Sequence, residues 1–174
     1  SKIYNIALKH FEGKEKNADI AAGRFDKLYY GIYRETLKNK LAVQDYSNGI
    51  WVKYNEDSLE DAIKLCESLR GKNTGWCTDK YELAKEQICG SAYYPGGDFY
   101  VYYTIDENGN YTNPRIAIKM KHKNEFNEIR GVGPNQNLEE GFELVLVNKL
   151  NEFDIDDDTK RYWVKLSLDS RELT

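Results

Sequence analysis

A tryptophan and a cysteine stand side by side at Trp76 and Cys77. The surrounding residues predict a turn that ends at Gly75 and a helix that begins at Cys77 or Thr78. The side chain of Thr78 or Asp79 is expected to cap the free amides of that first turn. A thiol in the first turn lies at the positive end of the helix dipole, which lowers its pKa and favours the thiolate. Cys77 is therefore the candidate catalytic residue, and Trp76 either shields the thiol from water or stacks on a ligand.

A second interpretation of Cys77 is structural. Counted from this residue, Tyr81, Ala84 and Ile88 recur at helical spacing, so Cys77 lies on or beside the predicted buried stripe. Free cysteine is among the most buried residue types, and no partner base is identifiable nearby in the sequence. The sequence leaves open whether Cys77 is a nucleophile or a small core residue beneath Trp76.

Charged side chains on two predicted strands form another candidate site. Glu128 and Arg130 point to the same side of one strand, and Arg115 lies on the side of the preceding strand opposite its apolar residues. Such charges form either a solvated outer face or the lining of a pocket. The amide side chains of the loop that follows offer hydrogen-bond donors and acceptors, which favours the pocket. The candidate ligand-binding residues are Trp76, Arg115, Glu128, Arg130, Asn135 and Gln136.

A helix is predicted to follow this loop. Asn137 and Glu140 have the spacing of a capping box, and apolar residues recur on one helical face as far as Leu150. The N-terminus of this helix, at Asn137, is a predicted anion site.

The order of elements allows an enzyme hypothesis. A cysteine at a helix N-terminus followed by antiparallel strands is the order of papain-like and transglutaminase-like enzymes, which complete the site with a histidine on a later strand. The only downstream histidine is His122, in a lysine-rich turn. The hypothesis is a cysteine-dependent hydrolase or transferase with Cys77 as nucleophile, in which Arg115 or the loop at Asn135 stabilises negative charge. Whether the protein is an enzyme stays open.

A single-stranded nucleic-acid binder is a further hypothesis. Basic side chains interleaved with aromatic ones can follow a phosphate backbone while bases stack. Glu125 and Glu128 dilute the positive charge, and the net charge of −4 gives no general attraction to nucleic acid or to an anionic membrane. The basic residues are Arg115, Lys119, Lys121, Lys123 and Arg130, and the neighbouring tyrosines are Tyr93, Tyr94, Tyr100 and Tyr102.

Length and composition bound the class of protein. The 174 residues, 40% hydrophobic and 13% aromatic, predict one folded α+β domain. Three cysteines without a C-x-x-C pair and only two histidines argue against a disulfide scaffold, a zinc ribbon and a histidine-rich metal site. We expect a reduced, cytoplasmic protein with no cofactor and no metal. No apolar run approaches membrane-spanning length, so no membrane partner is expected.

The expected fold is a small antiparallel β-meander packed against several helices. Its three strands are predicted at 99–105, 115–120 and 126–132, with a hairpin turn at Asn108 and Gly109. Residues 1–70 are predicted to be mainly helical, 71–153 to form the motif-bearing core and 154–174 to form a C-terminal element.

Within the first part, a short strand is expected at Gly49–Tyr54. Asp57 is expected to open the next helix with Glu60 in capping-box position. The apolar stripe of that helix comprises Leu59, Ala62, Ile63, Cys66 and Leu69, which makes Cys66 a core residue. At the other end of the chain, 154–158 is interpreted as a solvated linker and helix cap, and 162–166 as helix.

Several motifs together resemble a family of uncharacterised bacterial and phage proteins and, more distantly, the PcfJ-like proteins of mobile elements. The motifs are Gly75-Trp76-Cys77-Thr78, the strand segments from Gly97 to Tyr103 and from Pro114 to Ile118, Glu128-Ile129-Arg130-Gly131 and Asn135-Gln136-Asn137. The resemblance implies a phage or mobile-element setting. It also implies one site, or one structural cluster, that contains Trp76, Cys77, Arg115, Glu128, Arg130 and Asn135.

The leading functional hypothesis is a non-enzymatic binding module for a protein partner or a small anionic ligand. The cysteine-dependent enzyme is the alternative, and the nucleic-acid binder is third.

Overall fold

The computed structural model of the protein describes residues 48–122 and 125–168. They belong to two compact units, Asn48–Glu139 and residues from 140 onward, and each unit is described by itself. The described helices and antiparallel sheet confirm the α+β class. The helices predicted before Gly49 lie outside the described residues.

The sheet of the first unit is a four-stranded meander. The three predicted strands lie in sequence order, with neighbouring strands antiparallel. The predicted short strand adds a fourth at the edge, beside the first of these three. The strands are β1 Gly49–Tyr54, β2 Phe99–Ile105, β3 Tyr111–Lys121 and β4 Glu125–Gly131.

The turn between β2 and β3 is organised by an aspartate. The side chain of Asp106 accepts hydrogen bonds from the amides of Asn108 and Asn110 at 2.8 and 3.0 Å. Gly109 adopts a φ of 81° and donates its amide to the Asp106 carbonyl at 3.1 Å. The predicted Asn108-Gly109 turn is confirmed, in a loop longer than two residues.

Helix α1, Leu59–Leu69, begins one residue later than predicted. The capping residue is Ser58, whose hydroxyl accepts from the amide of Asp61 at 3.1 Å. The predicted capping box of Asp57 and Glu60 is wrong, because Asp57 has a φ of 65° and precedes the cap. Serine at this position satisfies the third amide of the helix directly.

The buried stripe of α1 is narrower than predicted. Leu59 and Ile63 are 51% and 43% exposed, whereas Leu65 is fully buried. The inward residues recur at intervals of three and four, which leaves Leu59 at the frayed first turn and Ile63 on the flank. They are Ala62, Leu65, Cys66 and Leu69, and the core position of Cys66 is confirmed.

The Trp76-Cys77 segment does not begin an α-helix. Cys77–Asp79 is a single 3-10 turn, Lys80 is extended with φ −104° and ψ 131°, and helix α2 spans Tyr81–Cys89. No side-chain hydrogen bond caps either element, so the predicted cap by Thr78 or Asp79 is wrong. The extended Lys80 breaks the run of helical dihedrals that the apolar spacing suggested.

Both helices contribute to a core with one face of the sheet. Val101 and Ala117, on neighbouring strands, belong to the same buried cluster as Leu65 of α1 and Ile88 of α2. The opposite face of β3 is buried as well: Ile116, Ile118 and Met120 have at most 1% exposure. The central strand therefore tolerates a polar side chain only where that side chain finds a partner.

The described part of the second unit contains two helices, α3 at Glu143–Leu150 and α4 at Asp157–Leu168. The predicted capping box of Asn137 and Glu140 is wrong: α3 begins at Glu143 without a side-chain cap. Gly141, with a φ of 107°, interrupts the helical dihedrals that the apolar pattern suggested.

The acidic segment before α4 acts as predicted. The carboxylate of Asp156 accepts from the amide and the hydroxyl of Thr159, both at 2.8 Å. The segment predicted as helix at 162–166 lies within α4. Within the described ranges, no helix is long and apolar enough to cross a membrane.

Candidate functional site

A cavity of about 140 Å³ lies in the first unit, beside the Trp76-Cys77 segment. An apolar cavity of about 150 Å³ is large enough to hold benzene, so this cavity suits a ligand with a core of six or so heavy atoms. Its apolar wall is formed by Trp76 from the motif, Phe99 from β2 and Ala117 from β3. All three are at most 5% exposed.

Trp76 is fixed by two hydrogen bonds. Its indole Nε1 donates to the carbonyl of Gly131 at 2.9 Å, and its backbone amide donates to the hydroxyl of Thr74 at 3.1 Å. The indole joins the motif to the end of β4 across 55 residues of sequence. Trp76 does not shield the thiol from water, because Cys77 is exposed. The ring lines the cavity, and its predicted stacking on a ligand stays a prediction.

The loop after β4 closes over the same segment. A side chain at Gly131 would put its Cβ 2.3 Å from the carbonyl oxygen of Asn137, so glycine is required for this close approach. The side-chain amide of Gln136 donates to the Gly75 carbonyl at 2.7 Å. Gln136 lines the cavity, and its predicted role in binding a ligand stays a prediction.

Strand register brings three charged side chains to the cavity. Lys119 of β3 lies opposite Glu128 of β4, and Ala117 lies opposite Arg130. Directly paired residues share a face of the sheet, so these charges and the apolar wall face the same side. Arg130 donates through Nε and Nη2 to one oxygen of Glu128, at 3.0 and 2.6 Å.

From the sequence, Lys119 was considered only as one of the basic residues of the nucleic-acid hypothesis, and it lines the cavity. It is 1% exposed, and its ammonium donates to the carbonyls of Gln87 and Pro95, the latter at 3.1 Å. Burial lowers the pKa of Lys119 to about 8, against the opposing effect of nearby carboxylates. The available signal was its place in the otherwise apolar run Ile116–Met120.

Cys77 differs from both of its predicted forms. It is exposed, so the interpretation as a buried core residue is wrong. Its pKa is raised rather than lowered, first by desolvation and next by the carboxylate of Glu128. A lone 3-10 turn supplies no α-helix dipole to oppose these effects. The thiol on the cavity wall is therefore protonated at neutral pH.

Thr78 is a second cavity residue whose position was not predicted. From the sequence it was considered only as a helix cap. It lines the cavity and is 3% exposed. Its hydroxyl oxygen is buried and has no hydrogen-bond partner within the described part of the chain. A buried hydroxyl without a partner costs about 1–3 kcal/mol, which a suitable partner in the cavity would recover.

Two predicted site residues lie elsewhere. Arg115 pairs with Glu139, with Nη1 3.2 Å from Oε1, and is not among the cavity residues. Asn135 is exposed, has a φ of 58° and does not line the cavity. The anion site predicted at Asn137 is wrong, because Asn137 ends a 3-10 turn instead of beginning an α-helix.

The basic residues of the nucleic-acid hypothesis are largely engaged within the protein. Lys119 is buried, and Arg115 and Arg130 are each paired with a carboxylate. Tyr102 is buried, while Tyr93 is 93% exposed. Lys123 lies outside the described residues.

Comparisons of the chain with models of protein families, with curated proteins and with solved structures found no match. The chemistry of the cavity is therefore argued from its own residues. The resemblance to phage and PcfJ-like proteins stays a prediction.

The cavity offers both apolar and charged groups to a bound molecule. The cavity combines an apolar wall with two cations and one anion, Lys119, Arg130 and Glu128, which gives its wall a net charge of +1. Among the residues that line it there is no histidine to accept a proton from Cys77. His122, the histidine considered from sequence, occupies the turn after β3 with a φ of 57°.

Proposed function

We propose that the protein is a non-enzymatic binding module that holds a small anionic ligand in the cavity beside Trp76. The observation that carries the proposal is the buried ammonium of Lys119 in the wall of a ligand-sized, partly aromatic cavity. A phage or mobile-element setting is part of the proposal and rests on the sequence resemblance alone.

The shape and lining of the cavity support a small ligand rather than a protein surface. Ligand sites are concave and mostly apolar, with a few convergent polar groups that fix orientation. Trp76 and Phe99 supply the apolar wall, while Thr78, Gln87 and Gln136 supply hydroxyl and amide groups. These groups converge on a space that admits one small molecule.

The charge of the wall supports an anion. Lys119 forms no direct ion pair in the described ranges. Its ammonium is held by two carbonyl oxygens, and the carboxylates of Glu56, Asp98 and Glu128 act on it from farther away. Burying a charge without a direct counter-ion is costly. An anion in the cavity would offset that cost, whereas a cation would add to it.

The cysteine-dependent hydrolase or transferase finds less support. A nucleophilic cysteine needs a depressed pKa or an adjacent base. Desolvation, and after it the carboxylate of Glu128, raise the pKa of Cys77 instead. We therefore propose that the Cys77 thiol lines the cavity and does not act as a nucleophile.

The test is a fragment screen by ligand-observed NMR with anions, cations and neutral compounds of six to ten or so heavy atoms. We expect anions to bind. Ala117→Leu fills the cavity from a buried position, and Cys77→Phe blocks it from an exposed one; both should abolish binding while the circular dichroism spectrum is retained. Arg115→Gln, outside the cavity, is the matched control and should bind normally. Binding that survives both blocking variants, or a screen without any binder, would overturn the proposal.

A further inference from the structure

The cavity has a distinct interior and a distinct mouth. Trp76, Phe99, Thr78 and Lys119 are at most 5% exposed and form its interior. The side chains of Arg130 and Glu128 are 37% and 44% exposed, so this pair borders the opening. A ligand that fills the cavity therefore meets an apolar and aromatic interior first and a guanidinium at the solvent side.

The guanidinium at the mouth retains an open edge. Arg130 uses Nε and Nη2 on a single oxygen of Glu128. No hydrogen bond in the described ranges uses Nη1 of Arg130. A planar carboxylate pairs well with a guanidinium edge, and charge-assisted bonds of this kind are the stronger ones. The mouth is thus suited to a carboxylate that points outward.

The interior is suited to a flat ring with a polar substituent. Trp76 and Phe99 present aromatic surfaces, which favour stacked or edge-on contact with another ring. The buried hydroxyl of Thr78 has no hydrogen-bond partner within the described chain. A hydroxyl on the ring would supply that partner.

We infer that the ligand is a hydroxylated aromatic monocarboxylate, of the size and chemistry of a hydroxybenzoate. The inference rests on the proposed function and specifies the ligand class of that site. The ring fills the interior against Trp76 and Phe99, the carboxylate binds Arg130 at the mouth, and the ring hydroxyl pairs with Thr78. Lys119 contributes the field of a buried positive charge rather than a direct contact.

The test compares named probes by isothermal titration calorimetry on the full chain. The probes are benzoate, 3-hydroxybenzoate, 4-hydroxybenzoate, cyclohexanecarboxylate, phenol, benzylamine, acetate and inorganic phosphate. We expect one hydroxybenzoate to bind most tightly, benzoate next, and phenol at least about tenfold more weakly than benzoate because it lacks the charge-assisted bonds. Benzylamine should not bind.

Two variants assign the contacts. Arg130→Gln should weaken benzoate by about tenfold or more and leave phenol unchanged, since a bond to a charged group is lost only for the carboxylate. Thr78→Val should remove the advantage of the hydroxybenzoate over benzoate, while Thr78→Ser should retain it. Arg115→Gln should change none of these affinities.

The outcomes separate the inference from the proposed function. Binding of acetate, phosphate or cyclohexanecarboxylate in preference to benzoate would overturn the ligand class and leave an anion-binding module. Equal affinity for benzoate and hydroxybenzoates in the unmodified protein would overturn the role of Thr78. Absence of binding by every probe would overturn the ligand class, and the wider fragment screen then decides whether the binding module stands.

Discussion

The indole nitrogen of Trp76 lies 2.9 Å from the carbonyl oxygen of Gly131 and donates a hydrogen bond to it. The bond is buried and joins the turn before α2 to the last residue of β4. It holds the wall of the cavity against the strand that carries Glu128 and Arg130. The sheet therefore fixes the side chain of Trp76, while the hydroxyl of Thr74 holds its backbone amide.

Trp76→Phe should destabilise the protein, because the ring that remains cannot satisfy the buried carbonyl of Gly131. We expect the free energy of unfolding to fall by about 1–3 kcal/mol, as measured by urea denaturation. Gln136→Ala removes the solvent-exposed bond to Gly75 and should cost less than Trp76→Phe. A larger loss from Gln136→Ala would mean that the loop, rather than the indole, fixes this wall.

Glu128→Gln should increase the reactivity of Cys77 towards iodoacetamide at neutral pH. The carboxylate raises the pKa of the thiol, so its removal increases the thiolate fraction. The rate is measured by mass spectrometry of the Cys77 peptide, with the buried Cys66 as internal reference. Asp79→Asn, a smaller influence on the same thiol, should produce a smaller increase.

A Cys77 that reacts in the unmodified protein faster than the same thiol in urea would contradict this account and revive the enzyme hypothesis. The same Glu128→Gln protein should also bind benzoate more tightly, since Arg130 loses its competing partner. The two measurements therefore connect the thiol and the guanidinium through one carboxylate.

The sheet was predictable from sequence because its signals are local. Period-two alternation predicts the strand Phe99–Ile105, and Asn108 and Gly109 predict the turn after it; the strand and the turn are both confirmed. Helix starts were less predictable. Asp57 and Asn137 are residue types that often cap a helix. The observed helices begin farther along the chain, at Leu59 and Glu143, because Asp57 and Gly141 have positive φ.

Side-chain period predicts that Glu128 and Arg130 share a face of the sheet, and the resemblance implies that Cys77 belongs with them. In the structure all three line one cavity. The position of Arg115 outside the cavity could not be predicted from the sequence. Its partner Glu139 comes from a loop whose path depends on the tight packing at Gly131. The burial of Lys119 likewise depends on carbonyl groups from distant segments. Periodicity indicates which face a residue is on but not which groups meet it there.

Tyr103→Phe should destabilise the core under α1. The Tyr103 hydroxyl lies 2.6 Å from that of Tyr54 and 2.7 Å from that of Ser68, which itself donates to the Leu65 carbonyl. Removal of the Tyr103 hydroxyl breaks two hydrogen bonds and leaves Tyr54 with the longer contact to Ser68, at 3.1 Å. We expect a cost of about 0.5–1.5 kcal/mol per lost bond. Thermal or urea denaturation measures the loss, and Tyr93→Phe, at a residue 93% exposed, should have no effect. Equal stability of the two variants would mean that the hydroxyl cluster contributes nothing.

The pH dependence of stability should report the burial of Lys119. Its pKa is about 8 in the folded protein against an ordinary value of 10.5, so between these values the unfolded chain binds more protons than the folded one. The contribution of Lys119 to the free energy of unfolding therefore rises between pH 8 and pH 10.5, by at most about 3 kcal/mol. Lys119→Met should lack this rise in urea denaturation from pH 7.5 to 10.5, whereas Lys64→Met, at an exposed pair with Glu60, should retain it.

The same titration predicts how ligand binding depends on pH. An anion in the cavity is attracted to the charged form of Lys119, so the affinity for benzoate should be constant below pH 7 and fall as pH rises through about 8. Calorimetry at pH 6.5, 8 and 9.5 measures the change, with Lys119→Met as the variant that should show none. An affinity independent of pH in the unmodified protein would remove Lys119 from the site, and a fall that persists in Lys119→Met would assign it to another group.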